Sequence, residues 1–192
     1  MEEQIKNSIR QSIAVKEAML ADGLLLQAIE HTVEAVVQTF HRDGKVLFCG
    51  NGGSAADAQH LAAELSGRYY LDRKALFAEA LHVNTSFLTA AGNDFGFDQV
   101  FARAVEAMGK EGDLLVALST SGNSPNILNA IEKAKSIGMR VAGLTGATGG
   151  KMAGLCDFLI KIPSTDTPRI QEGHILAGHI ICALSEKAIF RT

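Results

Sequence analysis

The sequence has no CxxC pair, no surplus of positive charge and no apolar run near the ~18 residues that would mark a membrane-crossing helix. Each absence removes a class of function. The three cysteines, Cys49, Cys156 and Cys182, are odd in number and lie far apart in apolar surroundings, which excludes a disulfide scaffold and reads as packed thiols in a reducing compartment. Eighteen Lys and Arg stand against 21 Asp and Glu, a net charge of −3, so nothing draws the chain generally to nucleic acid or to an anionic membrane. Any anion it binds must be held locally. The opening residues MEEQIKNSIRQS carry charge and no apolar h-region, and the expectation is a soluble cytoplasmic protein. Linkers, low-complexity tracts and repeats are also missing. With 192 residues and 47% hydrophobic content, the expectation is one domain spanning 1–192 around one sizeable core.

What is present follows a repeating order. Residues 4–42 place Ile5, Ile9, Ile13 and Leu20, then Leu25, Ile29, Val33, Val36, Val37 and Phe40, at helical spacing around a break at Asp22-Gly23. Two helices precede the rest of the chain. KVLFCG then reads as a strand leading through glycine into an Ala-rich helix at 54–66. DLLVALST leads into a helix at 124–137, RVAGLTG into a short helical stretch at 149–154, and DFLIKIP into a closing helix at 168–190. ALFAEAL is a weaker strand, interrupted by Glu79, for which the sequence offers no functional reason. Strands without polar alternation, separated by helices, imply a parallel sheet covered on both faces. The fold class is α/β, a three-layer α/β/α sandwich of residues 43–192 with an N-terminal helical extension at 1–42.

In such sheets, ligands bind where strand ends feed helix N-termini. Two polar loops lie there. GNGGS at 50–54 lacks the Gly-Lys-Ser/Thr ending of a P-loop and the GxGxxG dinucleotide pattern. It is either a phosphate-approaching glycine loop or a tight turn capped by Ser54. STSGNS at 119–124 is more pointed. Four hydroxyl residues in six, at a helix start, make a neutral donor nest for phosphate. His60 and Glu64, four residues apart, project from one helix face, as metal ligands or as a surface hydrogen-bonded pair. In RIQEGHILAGHI, Gln171 and His179 lie about 80° apart around a helix axis and can face one pocket. His174 points elsewhere and reads as structural; Glu172 is a lesser candidate.

GNGGSAADAQHLAAELSGRY, GNDFGF, STSGNSPN and RIQEGHILAGH resemble, in order and separation, the phosphoheptose isomerases of the sugar isomerase (SIS) domain superfamily. The resemblance covers essentially the whole chain. It implies conversion of sedoheptulose 7-phosphate into D-glycero-D-manno-heptose 7-phosphate, a first step toward the heptose of bacterial surface glycans such as lipopolysaccharide. It implies a homotetramer with active sites at subunit interfaces, assembled here through residues 1–42. Asn51, Gly52 and Gly53, with Asn93 and Asp94, would touch substrate; Ser119, Thr120, Ser121 and Ser124 would hold its phosphate. His60, Glu64, Gln171 and His179 match the family's zinc set, with Glu64 and Gln171 also meeting substrate. Where some members carry Asp before RIQE, this chain has Pro168, with Asp166 nearby.

Isomerisation of a sugar phosphate needs a distant anchor and a proton shuttle at C1 and C2. Glu64 and His179 are the candidate acid/base pair. The alternative is a non-catalytic SIS module that binds a sugar phosphate and associates with a replication initiator protein, but that branch lacks the acid and histidine pair that this chain has.

Overall fold

The computed structural model describes residues 1–190. Helix α1 (Glu2–Ala21) and helix α2 (Gly23–His41) meet at Asp22, whose carboxylate accepts from the N–H groups of Leu24 and Leu25 at 3.0 Å each. The break expected there is therefore an N-cap that ends one helix and starts the next. Strand β1 (Val46–Cys49) and helix α3 (Gly53–Ser66) follow, then strand β2 (Ala78–Ala80), helix α4 (Thr85–Phe95) and helix α5 (Val100–Met108). Strand β3 (Leu114–Leu118), helix α6 (Pro125–Ser136), strand β4 (Arg140–Thr145), strand β5 (Phe158–Lys161) and helix α7 (Thr167–Phe190) complete the chain. Single 3₁₀ turns lie at Phe97–Gln99 and Gly150–Gly154.

The strands form one parallel sheet in the order β2-β1-β3-β4-β5. Every residue of β1 and β3 is buried, because helices cover both faces. Val46 and Phe48 point into a core shared with α1, α2, α3 and α7; Leu47 and Cys49 point into a second core under α4, α5 and α6. The three-layer sandwich expected from the strand pattern is the fold observed.

The sequence pattern predicts no helix or strand between residues 82 and 112, where α4 and α5 form. Asn84 caps α4 by accepting from Phe87 N–H at 3.0 Å, and Gly96, at φ +84°, ends it. The two helices are short, eleven and nine residues; α4 buries only Ala91, while α5 buries Val100, Phe101, Ala102, Ala104 and Val105. A nine-residue helix spans too few turns to stand out in a sequence even when its apolar face is well defined.

The order 2-1-3-4-5 has a consequence for ligands. The chain leaves β1 toward one edge of the sheet and returns to the other side of β1 with β3. The crevice between the loops after β1 and β3 is the topological switch point, where doubly wound sheets bind ligands. Those are the two polar loops singled out above.

Candidate active site

The loop after β1 is shaped by backbone demands. Gly52 sits at φ +56° and ψ −120°, a conformation that side-chain-bearing residues avoid. At Gly53 a Cβ would come within 2.4 Å of the Gln171 amide, so the absence of a side chain lets the start of α7 rest on this loop. Gln171 therefore meets this loop, a contact that the helix geometry alone did not specify. Ser54 is buried and makes no cap bond; Gly52 occupies the N-cap of α3.

Across the switch point, Asn51 and Asn126 exchange two side-chain amide hydrogen bonds, each 2.9 Å. Asn126 is 2% exposed and was assigned no role from sequence, although it stands within STSGNSPN. The pairing fixes the orientation of the Asn51 amide and leaves it one free N–H and one free carbonyl lone pair. Two loops 75 residues apart are thereby held in register.

The second loop is only partly as expected. Ser119 Oγ and Ser124 Oγ lie 3.1 Å apart, and Ser124, although at the N-cap of α6, makes no cap bond with its hydroxyl. These two hydroxyls and the helix N-terminus converge. Ser121 instead accepts from Asn123 N–H at 3.2 Å and is exposed, while the Thr120 carbonyl accepts from Gly146 N–H at 3.0 Å. Asn93 and Asp94 sit in the last turn of α4, exposed, with the Asn93 amide donating to Asp94 at 2.8 Å. Among the described residues no hydrogen bond joins them to either loop. They belong to the helix layer opposite α3 and α7.

The titratable groups gather between α3 and α7. Leu61 and Leu65 on α3 pack against Ala177, Ile181 and Cys182 on α7 below the surface. This packing fixes the register of two helices more than a hundred residues apart, and their outer faces bring one ligand atom each of His60, Glu64 and His179 within 4.8 Å of one another. His60 Nε2 lies 3.1 Å from Glu64 Oε1 and 3.1 Å from His179 Nε2. The His60 side chain is 48% exposed and that of Glu64 26%, so solutes can reach both.

Asp57, one turn before His60, was not singled out from sequence. Its Oδ2 is buried without a partner, and burial pushes its carboxyl above the usual carboxylate range against a smaller pull from His60. His174 is fully buried on another face of α7, where desolvation lowers its ring to about 4. Its structural assignment holds. Glu172 is paired with Arg169.

The donor set suits a metal. Ligands at 2.0–2.2 Å from a tetrahedral zinc stand roughly 3.3 Å from each other, close to the 3.1 Å spacings here. Two imidazoles and a carboxylate could hold it, whereas the Gln171 amide, expected in the same set, rests against Gly53, seven residues before His60 on α3.

A family model described as the SIS domain matches residues 9–146. A phosphoheptose isomerase of Aneurinibacillus thermoaerophilus is 55% identical over 100% of this chain and 96% of its own. The chain belongs to the phosphoheptose isomerases of the SIS domain family. Two solved phosphoheptose isomerases share its fold. The one from Neisseria gonorrhoeae has a TM-score of 0.91 and 43% identity, covering 97% of this chain and 98% of the other. That from Francisella tularensis has a TM-score of 0.92 and 37% identity, covering 96% and 97%. As a phosphoheptose isomerase, the chain is an enzyme.

Proposed function

We propose that this phosphoheptose isomerase interconverts sedoheptulose 7-phosphate and D-glycero-D-manno-heptose 7-phosphate, feeding the heptose of surface glycans. The observation that carries the reading is the meeting of His60, Glu64 and His179 on the outer faces of α3 and α7, which both start beside the glycine loop.

Ser119, Ser124 and the N-terminus of α6 receive the phosphate, with Thr120 and Ser121 at the loop's rim. Backbone groups of Asn51, Gly52 and Gly53 bind the chain from the opposite side of the crevice. His60 lies seven residues into α3, ~10 Å along its axis from Gly53, a reach of the same order as an extended seven-carbon sugar phosphate. Phosphate binding thus orients the distant carbonyl end. Glu64 carries the proton between C1 and C2, and His179 moves a proton at the adjoining oxygens. His60, Glu64 and His179 would hold a zinc ion, which when bound supplies a Lewis acid at the substrate oxygens, while Gln171, beside Gly53, meets the substrate. Asn93 and Asp94 complete the substrate contacts in this reading.

Assembly belongs to the same proposal. Ile5, Ile9 and Ile13, at 55%, 55% and 50% exposure, form a stripe along α1 that continues to Leu20 and Leu24. Burying that stripe against other copies favours a homotetramer built through residues 1–42, with active sites at the subunit interfaces. No helix among the described residues is long and apolar enough to cross a membrane, and the enzyme is assigned to the cytoplasm.

The test is incubation of purified protein with sedoheptulose 7-phosphate in deuterated water, with and without chelator. Formation of the aldose with deuterium at the carbon next to the carbonyl is expected. Binding without turnover or exchange would replace the isomerase reading with that of a binding module.

A further inference from the structure

The segment between α3 and β2 is tied down by a buried ion pair that the chemistry above does not use. Arg73 and Glu186 have side chains only 2% and 1% exposed, and Arg73 Nε donates to Glu186 Oε1 at 2.9 Å. Glu186 also accepts from three successive backbone N–H groups: Tyr69 at 2.9 Å, Tyr70 at 2.7 Å and Leu71 at 2.9 Å. Burial alone would raise its carboxyl, but these donors and Arg73 outweigh it and hold the group ionised below the usual range.

The other half of the pair points at α3. Arg73 Nη1 donates to the carbonyls of Leu65 at 2.8 Å, Gly67 at 3.0 Å and Lys74 at 3.1 Å, while Nη2 donates to the carbonyl of Glu64 at 3.0 Å. A cation thus satisfies the orphan carbonyls of the turn that carries Glu64. Glu186 lies seven residues after His179, two turns along the same face of α7. The tethered segment carries the Tyr69 ring, whose centroid is 5.8 Å from that of His179.

We propose that Arg73 and Glu186 are positioning residues for the Glu64–His179 centre, holding the strap Gly67–Arg73 so that Tyr69 walls His179 while the last turn of α3 keeps Glu64 facing it. The proposal rests on the assignment of Glu64 and His179 to the reaction. An ion pair this well supplied with hydrogen bonds could serve stability alone, so its separation from that role must come from turnover. If it only braced the fold, a folded variant would turn over normally. A positioning role instead separates kcat from KM, because the phosphate loops, one of them at the opposite end of α3, are untouched.

The molecule provides its own probe. It has no tryptophan and two tyrosines, Tyr69 and Tyr70, so near-ultraviolet tyrosine signals report on this strap. Glu186→Gln keeps an acceptor for the backbone donors and leaves Arg73 its carbonyl partners. It is expected to retain far-ultraviolet dichroism, change the tyrosine near-ultraviolet signal, lower kcat by ~10–100-fold and leave KM within about twofold. That size is typical of groups that orient reacting residues. Arg73→Lys keeps the charge but loses the fork, and its kcat should lie between the two. A folded Glu186→Gln enzyme with wild-type kcat overturns the proposal. Should that variant fail to fold, Tyr69→Ala decides, since it spares the ion pair: reduced kcat supports the wall, and unchanged kcat overturns it. Glu64→Gln, run beside them, separates the two claims. If it turns over like wild type, the site assignment has failed and the strap's role goes with it; if it is inactive while the strap variants are normal, only the strap is wrong.

Discussion

The two ends of the active site are made from opposite materials. At the phosphate end, the parts are hydroxyls, glycines, a helix N-terminus and an amide pair, and the spacing of Ser119 and Ser124 follows from five residues of local chain. At the reactive end, three titratable side chains stand on two helices, and His60 and His179 are 119 residues apart. The anchor is charge-neutral, and its hydroxyl pair is local even though the Asn51–Asn126 bridge ties in a loop 75 residues away; the reactive centre is long-range and ionisable. One end can therefore be damaged by losing donors, whereas the other can be damaged by losing a proton carrier or by shifting α7 against α3.

The largest expected effect breaks the comparison at the reactive end. Glu64→Gln keeps the shape and removes the base, so kcat should fall ~10²–10⁴-fold while sugar-phosphate binding survives. Isothermal titration beside a turnover assay checks this; a matching collapse of binding would mean that the ends do not act separately. Next comes the anchor. Ser119→Ala with Ser124→Ala removes two donors to an anion and should weaken phosphosugar binding by about 2–4 kcal/mol, with less effect on kcat at saturation. Ser121→Ala alone should cost less, because it removes one exposed donor rather than two convergent ones.

Asn126→Ala tests whether the bridge between the loops matters. Losing one neutral amide pair should cost about 1 kcal/mol, read as a several-fold rise in KM with thermal stability slightly reduced. Loss of kcat with KM unchanged would tie Asn126 to the reactive end instead.

His174→Gln is expected to change turnover at neutral pH least, since the ring lies outside both ends. Its effect should appear in acid. The ring titrates near 6.5 when unfolded and about 4 when buried, so below pH 6.5 the unfolded chain takes up a proton that the folded one refuses. Stability falls as pH drops through this window, by about 3 kcal/mol once below pH 4. Urea titrations from pH 7 to 4 should show a shallower decline for His174→Gln than for wild type, and identical slopes would contradict the assignment.

Much of this was legible in the residues because the signals were local. The apolar run of β3, the hydroxyl-rich turn after it and the break at Asp22 each depend on a few neighbours, and each appears where expected. Helices α4 and α5 were not legible, being segments of eleven and nine residues whose stability comes from tertiary packing, that of α5 against α6 above all. Asn126 was visible as a letter in a motif, but its role exists only because the sheet places β1 beside β3. Asp57 became distinct only when folding buried one of its oxygens.

The sequence by itself determined the layers, the polar loops and the helix faces on which His60, Glu64, Gln171 and His179 lie, because hydrophobic period and helix pitch are properties of the local chain. Only the tertiary structure decided which faces meet. The packing of Leu61 and Leu65 against Ala177, Ile181 and Cys182 aligns α3 with α7, and contacts between such distant segments depend on shape and burial that no local pattern encodes. The same packing turns Glu186, an ordinary charge in the sequence, into the buried partner of Arg73.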